Sequence, residues 1–151
     1  MADIRKQDSS HVYETEEKPL ANPEQQLRQA VDNLKSSDWS KTFDSCNVIK
    51  RAAMYHKNLF THPSQMTGAI FKDIVKPVES LRSQVSKNAC MSLSVMFAEL
   101  PARDVDPHID AVMPVLLKRS TDTNHFIAAE AEKTLVTIVN NCTEARAFTS
   151  L

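Results

Sequence analysis

The chain has 151 residues, of which 42% are hydrophobic and only one, Gly68, is glycine. Because hairpin turns and phosphate-binding loops both depend on glycine, this composition excludes glycine-rich nucleotide sites and favours an all-α fold. The formal net charge of −1 argues against a broadly basic surface, so we expect no nucleic acid among the partners.

The first 20 residues are polar, mixed in charge and without a hydrophobic period. They predict a disordered tail, followed by one domain over residues 21–151. No apolar run approaches the ~18 residues that a membrane span requires, and there is no pattern of a signal peptide. We therefore expect a chain that neither crosses a membrane nor is secreted.

The domain is expected to begin with a helix that Asn22 caps, with Pro23 at its first position and Gln25 at the spacing of a capping box. The apolar residues of this helix recur at helical spacing: Leu27, Ala30, Val31 and Leu34. A short polar turn leads into a second helix, which is predicted over residues 39–60. Its inward positions are Cys46, Ile49, Ala53 and Phe60.

A second pair of helices is predicted over residues 64–100, with Ser64 as its cap and Pro77 near the end of the first helix. In a third pair, over residues 106–142, Asp106 is expected to cap a helix that has Pro107 at its first position. The core positions of that helix are Ile109, Val112, Met113, Leu116 and Leu117. A seventh helix is predicted to begin near residue 143.

The second helices of the last two pairs repeat one apolar pattern, with steps of four, four, three, one and three. The first copy is Val85, Ala89, Leu93, Met96, Phe97 and Leu100. The second copy, about 42 residues later, is Ile127, Ala131, Leu135, Ile138, Val139 and Cys142. A period of about 40–47 residues is typical of HEAT and armadillo repeats. The sequence therefore predicts an α-solenoid of about three helix pairs plus the start of a seventh helix.

The chemistry-bearing residues do not form a catalytic or metal-binding pattern. The histidines are scattered, and no two lie at i, i+4 on one helix face, which excludes a helical zinc pair. Cys46, Cys90 and Cys142 lie within apolar helical patterns, so we expect buried thiols in a reducing cytosol. We expect no enzyme, no metal and no cofactor.

The turns within the three pairs carry the candidate binding residues, because a regular solenoid places equivalent turns on one edge. They supply an aromatic residue, several cations and polar side chains: Trp39, Lys41, Arg82, Ser83, Lys87, Lys118, Asn124 and His125. Aromatic and arginine side chains are typical anchors of protein interfaces, which suits an acidic protein partner. The alternatives are that Trp39 is a core residue and that Arg82 pairs with an acidic neighbour.

The amino-acid sequences of these turns resemble those of TOG domains in the CLASP and crescerin group. Asn22-Pro23-Glu24 and Ser37-Asp38-Trp39 resemble the opening of such a domain, and residues 80–89, Ser-Leu-Arg-Ser-Gln-Val-Ser-Lys-Asn-Ala, resemble its second repeat. Residues 124–127 resemble the third repeat, and residues 139–146 resemble the lead into a fourth. The resemblance covers residues 20–151. A TOG domain has six HEAT repeats, of which this chain matches about the first half.

The resemblance implies a non-catalytic module that binds tubulin or microtubules through the turns within its repeats. Trp39 matches the aromatic residue of the first turn, Arg82, Ser83 and Lys87 match the second, and Lys118 with residues 124–126 matches the third. The implied locations are the cytoplasm and cytoskeleton, including the axoneme or basal body of a cilium. The alternative is a HEAT-repeat adaptor for another protein. We also expect an apolar face at the C-terminal end of the stack, with residues such as Val139 and Phe148 exposed, and self-association through it.

Overall fold

The computed structural model describes Tyr13 and residues 18–61 and 65–142, and within these ranges the chain is all-α. The α-helices are α1 Pro23–Asn33, α2 Trp39–Tyr55, α3 Gln65–Asp73, α4 Val75–Val78, α5 Ser83–Glu99, α6 Ala102–Val105, α7 Ile109–Ser120 and α8 His125–Asn141. Two 3-10 turns, Lys57–Phe60 and Asp106–His108, lie between them.

The helices form two layers, as expected of stacked helix pairs. In one layer α5 packs between α2 and α8, and in the other α7 packs against both α3 and α4 while α1 contacts α3. Contacts of α1 with α2, α4 with α5 and α7 with α8 join the layers. The predicted HEAT-type solenoid of three pairs is therefore confirmed over the described residues, whereas the predicted seventh helix lies outside them.

The core lies between the layers, and its residues follow the repeated apolar pattern most fully in α5. All six pattern positions of α5 are buried. In α8, Val139 is 41% exposed, because no helix of the described ranges covers that side of α8, and this agrees with the apolar face expected at the C-terminal end of the stack. Phe148 lies outside the described residues. Leu117, expected in the core of α7, is 48% exposed, so that prediction was wrong. The apolar stripe of α1 is buried as predicted.

Three helix ends differ from the sequence-based prediction. The amide of Asn22 donates to the side chain of Gln26 at 2.7 Å, so Gln26 and not Gln25 completes the cap of α1. Asp106 lies in helical conformation after α6, and α7 begins only at Ile109, so Asp106 does not cap it. The predicted second helix ends at Tyr55, because the chain leaves the helical region at His56 before the 3-10 turn. Ser64 lies outside the described residues.

Buried hydroxyl groups join successive repeats, at a position that hydrophobic periodicity does not reveal. Ser92 of α5 donates to the carbonyl of Cys46 in α2 at 2.8 Å. Thr134 of α8, at the equivalent position, donates to the carbonyl of Cys90 in α5 at 3.0 Å. These paired contacts fix the stagger of α2, α5 and α8, since each hydroxyl is buried and reaches one acceptor on the preceding repeat.

The structure describes four residues of the predicted tail, Tyr13 and residues 18–20, and they pack on the fold, while the rest of that prediction lies outside the described residues. Leu20 is buried, and its amide donates to Nε2 of His56 at 2.9 Å. The guanidinium of Arg51 donates to the carbonyls of Lys18 and Pro19. The backbone before α1 is therefore attached to α2.

Candidate functional site

The turns within the three helix pairs lie along one edge of the stack, which we call the turn edge and define by residues 34–38, 79–82 and 121–124 with the helix ends beside them. The guanidinium carbon of Arg82 lies 4.5 Å from the centre of the Trp39 ring, which joins the first turn to the second. The ammonium of Lys118 lies 3.9 Å from the Glu79 carboxylate, which joins the second to the third. The turns thus share one edge, as the repeat predicted.

Trp39 is the first residue of α2, and its position is set by the cap before it. The Asp38 carboxylate accepts the amide of Ser40 at 3.0 Å, which holds the start of the helix and directs Trp39 toward the second turn. Its side chain is half-buried, so it is neither a full core residue nor a free one. Arg82 is exposed and stacks on this ring, a contact that contributes about 0.5–1 kcal/mol at an exposed site.

An open groove of about 730 Å³ lies beside Trp39, between the first and second repeats. Leu34, Trp39, Pro77 and Val85 supply its apolar lining, and Lys72 and Lys76 bring two cations to its wall. Sequence reasoning missed these two lysines, because they lie before the second turn rather than in it. Their i, i+4 spacing, which places them on one side of the helical segment that precedes the turn, was the signal that could have found them.

The third turn is held by side-chain hydrogen bonds. Arg119 donates to the carbonyl of Val78 at 2.9 Å, to the carbonyl of Glu79, and to the carboxylate of Asp122 at 2.9 Å. The amide of Asn124 donates to Asp122 and, with Arg119, lowers the pKa of that carboxyl. The side chain of Asn124 accepts the amide of Phe126 as the cap of α8. Arg119 and Asn124 therefore hold the turn, while Lys118 and His125 are exposed beside it.

Lys87 lies one helical turn beyond the start of α5, on the face that α2, α5 and α8 share. Its ammonium is 4.6 Å from the centre of the Phe126 ring and 5.1 Å from the centre of the Tyr13 ring. Ser83, the first residue of α5, is half-buried close to Arg82. Lys41 does not join this group, because it lines a shallow groove between α1 and α2 with Gln26 and Gln29.

The thiols carry no reactive arrangement. Burial raises the pKa of Cys46 and of Cys90 to about 12, which keeps both protonated. Cys142 is half-buried rather than buried. Over the described ranges, no group of three or more His, Cys, Asp or Glu side chains is placed to hold a metal ion. No helix in the described part of the chain has both the length and the apolar composition of a membrane span.

Comparison with known proteins identifies a family and several relatives. The family model described as CLASP N terminal matches residues 35–151. "TOG array regulator of axonemal microtubules protein 1" from Homo sapiens is 34% identical over 137 residues, which is 91% of this chain and 8% of that protein. The Mus musculus protein of the same name is 34% identical over 135 residues, 89% of this chain and 7% of its own length.

A fungal relative extends the comparison. "Protein STU1" from Chaetomium globosum is 29% identical over 108 residues, which is 70% of this chain and 10% of that protein. The chain thus spans a tenth or less of the length of each of these relatives. No solved structure matches this chain.

Proposed function

This chain belongs to the CLASP N terminal family, and on that premise we propose that it is a non-catalytic module that binds tubulin through its turn edge and regulates microtubules. The observation that carries the proposal is the Trp39–Arg82 pair beside an open groove at the junction of the first two turns. Two relatives are named for axonemal microtubules, which supports a place in the cytoskeleton and in cilia.

The chemistry of the turn edge suits an acidic protein surface. The half-buried Trp39 ring offers an apolar anchor whose remaining surface a partner can cover. Exposed Arg82 and Lys118, with Lys72 and Lys76 on the groove wall, supply cations that attract acidic side chains and accelerate encounter. Because Arg119 is already bonded to the second turn, it stabilises the edge instead of contacting the partner.

Charge reversal at the edge tests the proposal. We expect Arg82→Glu with Lys118→Glu to weaken tubulin binding at least tenfold, measured by gel filtration and titration calorimetry at low salt. The matched control is Arg28→Glu with Lys133→Glu, which makes the same change in net charge at exposed positions on α1 and α8. We expect the control to bind like the wild type.

Trp39→Ala separates an interface anchor from a structural residue. An anchor is worth about 2 kcal/mol or more, so we expect its loss to weaken binding roughly thirtyfold. The melting temperature should change little, because the ring is only half-buried. A large fall in melting temperature would instead assign Trp39 to the fold.

The alternative is a HEAT-repeat adaptor that uses the same edge for a partner other than tubulin. Equal tubulin affinity in the edge variant and in its control would exclude the turn edge as the binding surface. Wild-type protein that fails to bind tubulin at low salt, while it remains folded, would leave the adaptor as the better account.

A further inference from the structure

Tyr13 lies against the face that α2, α5 and α8 share, far in sequence from the residues it contacts. The centre of its ring is 5.3 Å from that of Phe43, at an interplanar angle of 51°. Tilted aromatic pairs at this distance are worth about 0.5–1.5 kcal/mol beyond the area that they bury. Phe43 is fully buried, so Tyr13 is packed on the outermost part of the core.

Two ammonium groups surround the same ring. Nζ of Lys50 lies 5.8 Å from its centre and Nζ of Lys87 lies 5.1 Å from it. Burial and the nearby Glu130 carboxylate raise the pKa of the Tyr13 hydroxyl, which keeps the ring neutral. The seat of Tyr13 is therefore built by all three helices of the layer: Phe43 and Lys50 from α2, Lys87 from α5 and Glu130 from α8.

Lys87 connects this seat to the turn edge. Its ammonium lies between two rings, Tyr13 at 5.1 Å and Phe126 at 4.6 Å. A cation between two ring faces is attracted to both of them, and the rings cover part of its surface, so it meets an external carboxylate less readily than an exposed cation does. Lys87 is half-buried in this arrangement, whereas Arg82 and Lys118 on the same edge are exposed.

We propose that Tyr13 is an intrachain ligand of this face and that, while seated, it withholds Lys87 from the partner of the turn edge. Release of Tyr13 removes one of the two ring contacts of Lys87 and makes its ammonium more accessible to an acidic surface, so Tyr13 tunes the affinity of the edge. The second half of this inference rests on the proposed binding of tubulin.

The seat is tested first without tubulin. Protons over the face of an aromatic ring resonate upfield, so the ε-methylene protons of Lys87 should be shifted in the proton–carbon NMR spectrum of the wild type. Their signal is identified by its loss in Lys87→Arg. Tyr13→Ala should move it toward the position of a free lysine, Tyr13→Phe should leave it in place, and Tyr55→Ala serves as the control tyrosine. An unchanged signal in Tyr13→Ala would overturn the seat.

The effect on the edge is tested with tubulin and the full chain. We expect Tyr13→Ala to bind tubulin about two- to fivefold more tightly than the wild type, the range that corresponds to loss of one exposed cation–ring contact. Tyr13→Phe keeps the ring and should bind like the wild type. If the NMR result places the Tyr13 ring over Lys87 but the wild type, Tyr13→Ala and Tyr13→Phe bind tubulin equally, then Tyr13 does not withhold Lys87 from the partner. Wild-type protein that does not bind tubulin would overturn the proposed function, and the NMR result on the seat would stand by itself.

Discussion

Helices α5 and α8 carry the same apolar pattern, yet only α5 buries all of it. Phe97 of α5 is 1% exposed, whereas Val139, at the equivalent position of α8, is 41% exposed. Both helices contact the preceding repeat in the same way, through the hydroxyls of Ser92 and Thr134. The difference lies on the side that faces the next repeat.

That side of α5 is covered by α8. The carbonyl of Cys90 accepts from Thr134 at 3.0 Å, and the hydroxyl of Ser94 lies 2.7 Å from the same side chain. The corresponding side of α8 carries Val136 and Val139, which are 53% and 41% exposed. The apolar pattern thus specifies a helix that packs on both sides, and burial follows only where a neighbour is present.

The largest effect is expected from substitution of two leucines at equivalent positions of α5 and α8. Leu93→Ala in α5 should cost about 2–5 kcal/mol of unfolding free energy, because the side chain is fully buried and leaves a cavity. Leu135→Ala in α8 should cost about 1 kcal/mol, since Leu135 is only partly buried and less apolar area is lost. Urea unfolding measures both, with exposed Lys133→Ala as the control. Equal losses at the two leucines would contradict the account.

A second test concerns the polar contact between α5 and α2. Asn88 is buried, accepts from the ammonium of Lys50 at 2.6 Å and donates to the carbonyl of Phe43 at 3.0 Å. Asn88→Ala should cost about 1.5–3 kcal/mol, because a buried cation loses an acceptor. Glu130→Ala, at the equivalent position of α8, should cost less, because Glu130 is only half-buried. A smaller loss of unfolding free energy for Asn88→Ala than for Glu130→Ala would show that burial does not decide the difference between the two positions.

The bounds and apolar faces of the helices could be predicted from the sequence better than the contacts between helices. The bounds of α8 and the stripe of α1 follow from apolar spacing and from caps, which are local features of the chain. The exposure of Leu117 was missed, because helical spacing says which face is apolar and not whether another helix covers it. The Trp39–Arg82 contact joins residues 43 positions apart, and only the repeat period brought the two turns together. Tyr13 carried no periodic signal at all.

A third test concerns the exposed side of α8. Self-association through this face stays a prediction, and we expect a weak, concentration-dependent increase in mass by light scattering. Val136→Lys with Val139→Lys should abolish it, because two charges replace the apolar surface. The same double substitution should leave the unfolding free energy nearly unchanged. A monomer at every concentration in the wild type would show that this face does not associate.

The smallest expected effect lies in the other layer, where His108 stacks on Phe71 with ring centres 4.7 Å apart. Burial lowers the pKa of His108 from 6.5, so below that pH the unfolded chain binds more protons than the folded one. Stability should therefore be full above pH 6.5 and fall as the pH drops through the lowered pKa of the folded state. His108→Phe keeps the stack without the titration and should remove this part of the pH dependence. Identical pH profiles of urea unfolding would contradict the assignment.

The most direct test of the turn edge is amide hydrogen exchange with and without tubulin. We predict that tubulin slows exchange in residues 34–41, 79–87 and 118–126, which together form the edge and its flanking helix ends. The outer side of α8, around Val136 and Val139, should exchange at the same rate in both samples. Protection confined to α8, or no protection in a mixture that demonstrably contains the complex, would contradict the proposal that tubulin binds at the turns.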